Sequence, residues 1–174
     1  RAADAIGKPL SGIAAALGET RPWAGNLEIE AADAHEGASA AGGTPHSFTT
    51  ISVSDGVSMN HQGMKCSLMS RELIADSVEL IVRGHAYDGL VAFGGCDKNL
   101  PAMMTAMVRL NVPAVFVFGG SALVGQLVGK DVSILTAYEA AGTAMTGAMD
   151  RSAVDRLERA ALPTIGACPG QFTA

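Results

Sequence analysis

Short apolar runs of strand length alternate along this chain with longer segments whose apolar residues recur every three or four positions. A run of the first kind suits a strand buried on both faces, and the second lays an apolar stripe along one side of a helix. Ser11 to Leu17 reads as a first strand, and Leu27 to Ala41 as a helix closed by Gly42-Gly43. The β-branched run from Ser47 to Val53 reads as a second strand, followed by a Gly/Asn/Ser-rich loop from Ser54 to Gly63. Ser67 to His85 is the clearest helix: Leu73, Ile74, Val78, Ile81 and Val82 share a side, and Arg71, Glu72, Asp76 and Glu79 lie elsewhere around it. Gly89 to Gly94 predicts a short buried strand, and Asn99 is expected to cap a helix running to Leu110. Asn111-Val112-Pro113 then turns into a strand from Ala114 to Phe118, ended by Gly119-Gly120. Two more helices are expected, from Ser133 to Thr146 and from Ser152 to Leu162, with Asp150 capping the second.

Strands separated by helices predict βαβ units. The expected fold is α/β: three layers, with a doubly wound, mostly parallel sheet covered by helices on both faces, residues 1–174 forming a single domain. In such sheets ligands bind beyond the carboxyl ends of the strands. Asp55, the pair Cys96-Asp97 and the pair Gly119-Gly120 each follow an expected strand, so the reading places the site on that edge.

Composition narrows the picture. With 48% apolar and 17% charged residues in 174, the chain is not disordered, and it has few charges to cover a surface. Some apolar area is therefore expected to pack against another domain or subunit. No apolar run approaches the roughly 20 residues of a membrane-spanning helix. A net charge of −5 without a basic cluster argues against nucleic acid as a partner. Three cysteines, Cys66, Cys96 and Cys168, with no disulfide-like spacing, favour a reducing compartment and metal or catalytic use. Arg1 to Ala16 lacks the order of a signal peptide, so the cytoplasm or an organelle matrix is expected. The chain starts without Met and stops just after a Gly-Ala-Cys-Pro-Gly turn, which reads as a fragment of a longer protein.

The richest chemistry lies in Gly95-Cys96-Asp97-Lys98-Asn99-Leu100-Pro101. Thiolate suits iron–sulfur or zinc and carboxylate suits magnesium or manganese, so adjacent Cys96 and Asp97 suggest two metal centres meeting at one point. Asp55 and Asp97 can both reach one hard cation, which needs only one or two carboxylates, although an Asp after a strand also caps turns. Cys96, near a helix amino end, is open to reading as a buried apolar residue, a nucleophile or a ligand. Cys168 sits among two glycines and a proline, an irregular turn that can admit a bulky cluster. Cys66 reads as a packing residue. An ammonium at Lys98 would repel a cation held by the two Asp, so it must point away, lose its proton or be modified. His61 is either a donor to substrate or to a metal ligand, or a histidine satisfied within its own loop. No Walker A, G-x-G-x-x-G, G-x-S-x-G or C-x-x-C pattern occurs.

Taken together, Ala41-Gly-Gly-Thr-Pro45, Val53-Ser-Asp-Gly-Val57, His61-Gln-Gly-Met64, Ser70-Arg-Glu-Leu-Ile-Ala-Asp-Ser77, Cys96-Asp-Lys98, Pro101, Arg109-Leu110, Phe116 to Gly120 and Gly166-Ala-Cys168 resemble the dihydroxy-acid dehydratase family, which also includes sugar-acid dehydratases. The resemblance runs from Gly7 to Ala174 and covers the amino-terminal part of a longer family protein. It implies an iron–sulfur cluster, [2Fe–2S] or [4Fe–4S], on Cys96 and Cys168, and Mg2+ on Asp55, Asp97 and a carbamylated Lys98. It further implies loss of water from a 2,3-dihydroxy acid to give a 2-keto acid in branched-chain amino-acid synthesis. The sugar-acid branch is the alternative. The catalytic base, a serine, and a further acidic magnesium ligand are expected in the carboxy-terminal part, so residues 1–174 alone should be inactive. A small dihydroxy acid is the expected partner, and a homodimer or dimer of dimers the expected assembly.

One position departs from the family pattern. Where the family places a first cluster cysteine, after Thr-Pro and before Asn, the stretch Thr20-Arg-Pro-Trp-Ala-Gly-Asn26 carries Trp23, which cannot ligate iron. A cluster with a substitute ligand, a chain without a cluster, and an error or degeneration in this stretch are the competing accounts. The second gives the reading from another class, a catalytically silent paralogue that kept the fold.

Overall fold

The computed structural model describes residues 7–17 and 25–166. Trp23 and Cys168 lie outside them. Four strands, β1 (Leu10–Ala15), β2 (Thr44–Thr49), β3 (Gly89–Gly94) and β4 (Ala114–Phe118), form one parallel sheet in the order β2-β1-β3-β4. The central strand β1 is registered on both sides, with Gly12 opposite His46 and Leu90.

The period-two alternation of strand side chains separates two cores. Ala14, Leu90 and Ala92 face helix α3 (Met64–Gly84) and helix α4 (Asn99–Leu110), where they pack with Ile74, Ala75, Val78, Met103 and Ala106. Ile13, Ala15 and Phe93 face the opposite way and pack on Leu27 and Ala31 of helix α1 (Asn26–Ala40). Helices therefore cover both faces, as expected of a doubly wound sheet. Each large side chain buried here contributes about 1.5–3 kcal/mol. Among the described residues no helix is long and apolar enough to cross a membrane.

Several boundaries differ from the sequence reading. The second strand spans Thr44–Thr49 and not 47–53, since pairing with β1 begins where Thr44 meets Leu10. Pro45 lies inside it, tolerated because β2 is an edge strand. The stretch expected as a loop contains a single helical turn, α2 (Asp55–Ser58), whose cap Ser54 accepts a hydrogen bond from the Val57 amide at 3.4 Å. Helix α3 begins at Met64, before the expected start. Its buried stripe runs through Ser67, Ser70, Ile74, Val78 and Val82, which leaves Leu73 and Cys66 exposed. Both had been expected to pack. Each sits roughly 100° around the helix from a buried neighbour, which points it off the core.

No element was expected between Gly120 and Ser133, yet β5 (Gly125–Leu127) and β6 (Lys130–Val132) form an antiparallel hairpin. Its two turn residues, Val128 and Gly129, both have positive φ, at 52° and 71°. Two such residues make the turn that matches strand twist, but valine is an unusual occupant of its first position. Helices α5 (Ile134–Met145) and α6 (Arg151–Ala161) complete this part. A Cβ at Gly125 would collide with the Ala160 carbonyl, so hairpin and α6 meet backbone to backbone. Asp150 does occupy the cap position of α6, but its carboxylate accepts from the Ser152 hydroxyl at 2.6 Å and not from the helix backbone.

Candidate functional site

The site forms where the segments leaving the carboxyl ends of β2 and β3 meet. After β3 the chain turns through Gly95 and buried Cys96 into α4. Asn99 was expected to cap α4 with its side chain. It is instead the first helical residue, 1% exposed, with its amide turned to the neighbouring segment. It accepts from the Ser52 hydroxyl at 3.1 Å and reaches the Ile51 carbonyl at 3.5 Å. A buried amide must find partners, and these lie on the stretch that carries Asp55. Asn99 thus fastens the Asp55 segment to the Cys96-Asp97-Lys98 segment.

That fastening brings Asp55, Asp97 and Lys98 together. Lys98 Nζ lies 3.4 Å from Asp55 Oδ2 and forms a close ion pair with Asp97 Oδ2. All three side chains are largely shielded, at 13–19% exposed. Two carboxylates thus converge on one point, the Lys98 ammonium. Of the three expectations for Lys98 beside a cation, pointing away, losing its proton or being modified, the contacts seen here concern the free ammonium, which neutralises the two carboxylates. Among the described residues no group of three His, Cys, Asp or Glu could hold a metal ion. A third anionic ligand is available if Lys98 carries a carbamate, which would turn the central cation into a carboxylate. The donor set fits a hard divalent ion on that condition.

The other oxygen of Asp55, Oδ1, accepts a close hydrogen bond from the buried Ser67 hydroxyl of α3. From a third direction, the Tyr138 hydroxyl of α5 reaches the Gly56 carbonyl at 3.4 Å. Sequence reading missed both contacts. For Ser67 a signal existed: it is a polar residue in phase with the buried stripe of α3. His61 is held within its own loop. Its Nδ1 accepts from the Gly63 amide at 3.0 Å, which leaves Nε2 to donate to the Val57 carbonyl, also at 3.0 Å. At the end of β4, the Asn26 side chain donates to the Gly119 carbonyl at 2.7 Å. In the loop that follows β4, the Leu123 amide donates to Thr164 Oγ1 at 2.9 Å.

Residues 8–174 match the family described as dihydroxy-acid/6-phosphogluconate dehydratase N-terminal. The chain is 55% identical over 170 residues to dihydroxy-acid dehydratase 3 of Bradyrhizobium diazoefficiens, covering 98% of this chain and 29% of that protein. It is 52% identical over 169 residues to the dihydroxy-acid dehydratase of Pelagibacter ubique, covering 97% and 30%. Against the dihydroxy-acid dehydratase of a Synechococcus strain the identity is 46%, with the same coverage of 97% and 30%. The chain therefore spans less than a third of the length of these curated relatives.

Proposed function

This chain belongs to the dihydroxy-acid/6-phosphogluconate dehydratase family, and from that premise we propose that the natural protein removes water from a 2,3-dihydroxy carboxylate to give a 2-keto acid in branched-chain amino-acid synthesis. The observation that carries the reading is the convergence of the Asp55 and Asp97 carboxylates on Lys98 Nζ beside Cys96, at the carboxyl edge of a parallel sheet. Asp55, Asp97 and Lys98 as its carbamate would hold Mg2+, and Cys96 with Cys168 an iron–sulfur cluster. When bound, these groups supply a Lewis acid for the departing C3 hydroxyl and positive charge for the carboxylate and C2 oxygen.

The chain's own contribution is preorganisation. Asn99 holds the two candidate ligand segments in register, and both carboxylates are largely shielded from solvent. In the reaction the C2 proton passes to a base outside residues 1–174, the C3–O bond breaks, and the hydroxyl leaves as water after gaining a proton. The resulting enol tautomerises to the 2-keto acid. A homodimer or dimer of dimers is part of the proposal.

Trp23, standing where the family carries a cysteine, favours a second reading: a silent paralogue that kept the fold without a cluster. Iron and acid-labile sulfide on the anaerobically purified natural protein separate the two. Near-stoichiometric cluster, with turnover of 2,3-dihydroxyisovalerate in preference to aldonic acids, is the expected result. Background iron in a folded protein would favour the silent paralogue, and preferential turnover of aldonic acids the sugar-acid branch. Asp55→Asn and Asp97→Asn are each expected to weaken Mg2+ binding at least tenfold by calorimetric titration, since each removes one anionic ligand.

A further inference from the structure

Asp55 is carried on a single helical turn within a segment whose Ile51, Val57 and Met59 are exposed, so the local chain gives its carboxylate little support. The support comes from α3. Ser67 is fully buried, and its hydroxyl has one proton for two acceptors within reach, Asp55 Oδ1 and the Val53 carbonyl at 3.4 Å. The carboxylate is closer and charged, so it takes the proton. The serine is itself immobile: Ser70 Oγ donates to the Ser67 carbonyl at 2.6 Å, and one turn further on Ile74, Ala75 and Val78 are wholly buried against the sheet. Asp55 therefore has two unlike oxygens. Oδ1 is tied to a rigid helix, and Oδ2 faces the point shared with Asp97 and Lys98.

We propose that Ser67 is a positioning residue that presents Asp55 Oδ2 to a divalent cation. This rests on the metal-binding reading of Asp55 and Asp97 given above. A hydrogen bond behind a ligating carboxylate fixes its rotamer before the ion arrives, and removing such a partner costs about 10–100-fold in metal affinity. The hydroxyl is held by the core and not by the ion, so the effect belongs to binding, separately from turnover.

The test is Mn2+ titration of the natural protein, read by the loss of the free-ion EPR signal, with thermal melting recorded without metal. Ser67→Ala should weaken Mn2+ binding about tenfold. Ser70→Ala, which leaves the Asp55 contact in place, should bind within twofold of the parent. Ser67→Thr and Ser67→Val form a second pair. Both add the same bulk and only threonine keeps the hydroxyl, so threonine should bind about tenfold more tightly even if both melt early. Equal binding by the Thr and Val variants, or an unchanged Ser67→Ala, in a protein whose binding collapses with Asp55→Asn would overturn the positioning role and spare the metal site. Mn2+ binding indifferent to Asp55→Asn and Asp97→Asn would overturn the metal reading itself, and the role of Ser67 with it.

Discussion

Asn99 and Tyr87 show how much a single buried polar group can decide. The Asn99 amide is sealed inside the protein and satisfied by Ser52 and Ile51, so Asn99→Ala leaves two loop groups without their partner. A loss of about 1–3 kcal/mol is expected in urea unfolding, with faster amide exchange between residues 50 and 58. Tyr87 lies at the other end of the sheet, its hydroxyl 3.2 Å from His46 Nδ1 and its ring stacked on Phe48 and His85. Burial raises its pKa above 10.0. The phenol is neutral in both states below about pH 10, so its contribution is complete there. Above that pH the unfolded chain ionises first and stability falls until the folded phenol ionises too. Tyr87→Phe should flatten this alkaline decline, measured as urea midpoints from pH 8 to 11.

At the scale of elements, the β5–β6 hairpin carries a local conflict. Val128 is 94% exposed, so its side chain gains almost nothing from packing while its backbone is held at positive φ. Asparagine tolerates that conformation far better than a β-branched residue. Val128→Asn is expected to raise stability by about 0.5–1 kcal/mol, seen as a higher melting temperature with an unchanged circular dichroism spectrum. Gly125 is the converse case. Gly125→Ala forces a methyl into the Ala160 carbonyl and should separate the hairpin from α6, costing more than 1 kcal/mol. Much of the framework was legible because its periodicities are strong: β3, α4 and β4 lie where the apolar pattern predicts them. The hairpin was not, since its three-residue strands are too short for a period to show and valine masks the turn. The second strand was misplaced because β-branched residues outside it looked more strand-like than the Pro45 segment inside it. Pairing with β1 outweighs that propensity.

Over the whole molecule, apolar surface remains outside both cores. Leu80 on α3, Val108 on α4 and Val115 on β4 are each more than half exposed. Such residues are covered in many proteins by further domains or subunits, which agrees with a chain spanning less than a third of its curated relatives. Residues 1–174 expressed alone are expected to self-associate, and Leu80→Glu combined with Val108→Lys should reduce the apparent mass in light scattering. A monodisperse, stable monomer before substitution would count against this expectation.

The sequence by itself determined the alternation of strands and helices, the edge on which the candidate residues gather and the family, because these follow from local periodicity and from residues adjacent in the chain. It also brought Cys96, Asp97 and Lys98 together as candidates, since they are neighbours. The tertiary structure decided what each candidate faces. Lys98 lies between two carboxylates, Asn99 ties two segments and leaves its own helix uncapped, and Ser67 stands behind Asp55. Those relations join residues far apart in the chain, and they arise when β1 draws β2 and β3 to either side of it and the packing of α3 and α4 fixes the distance between their ends.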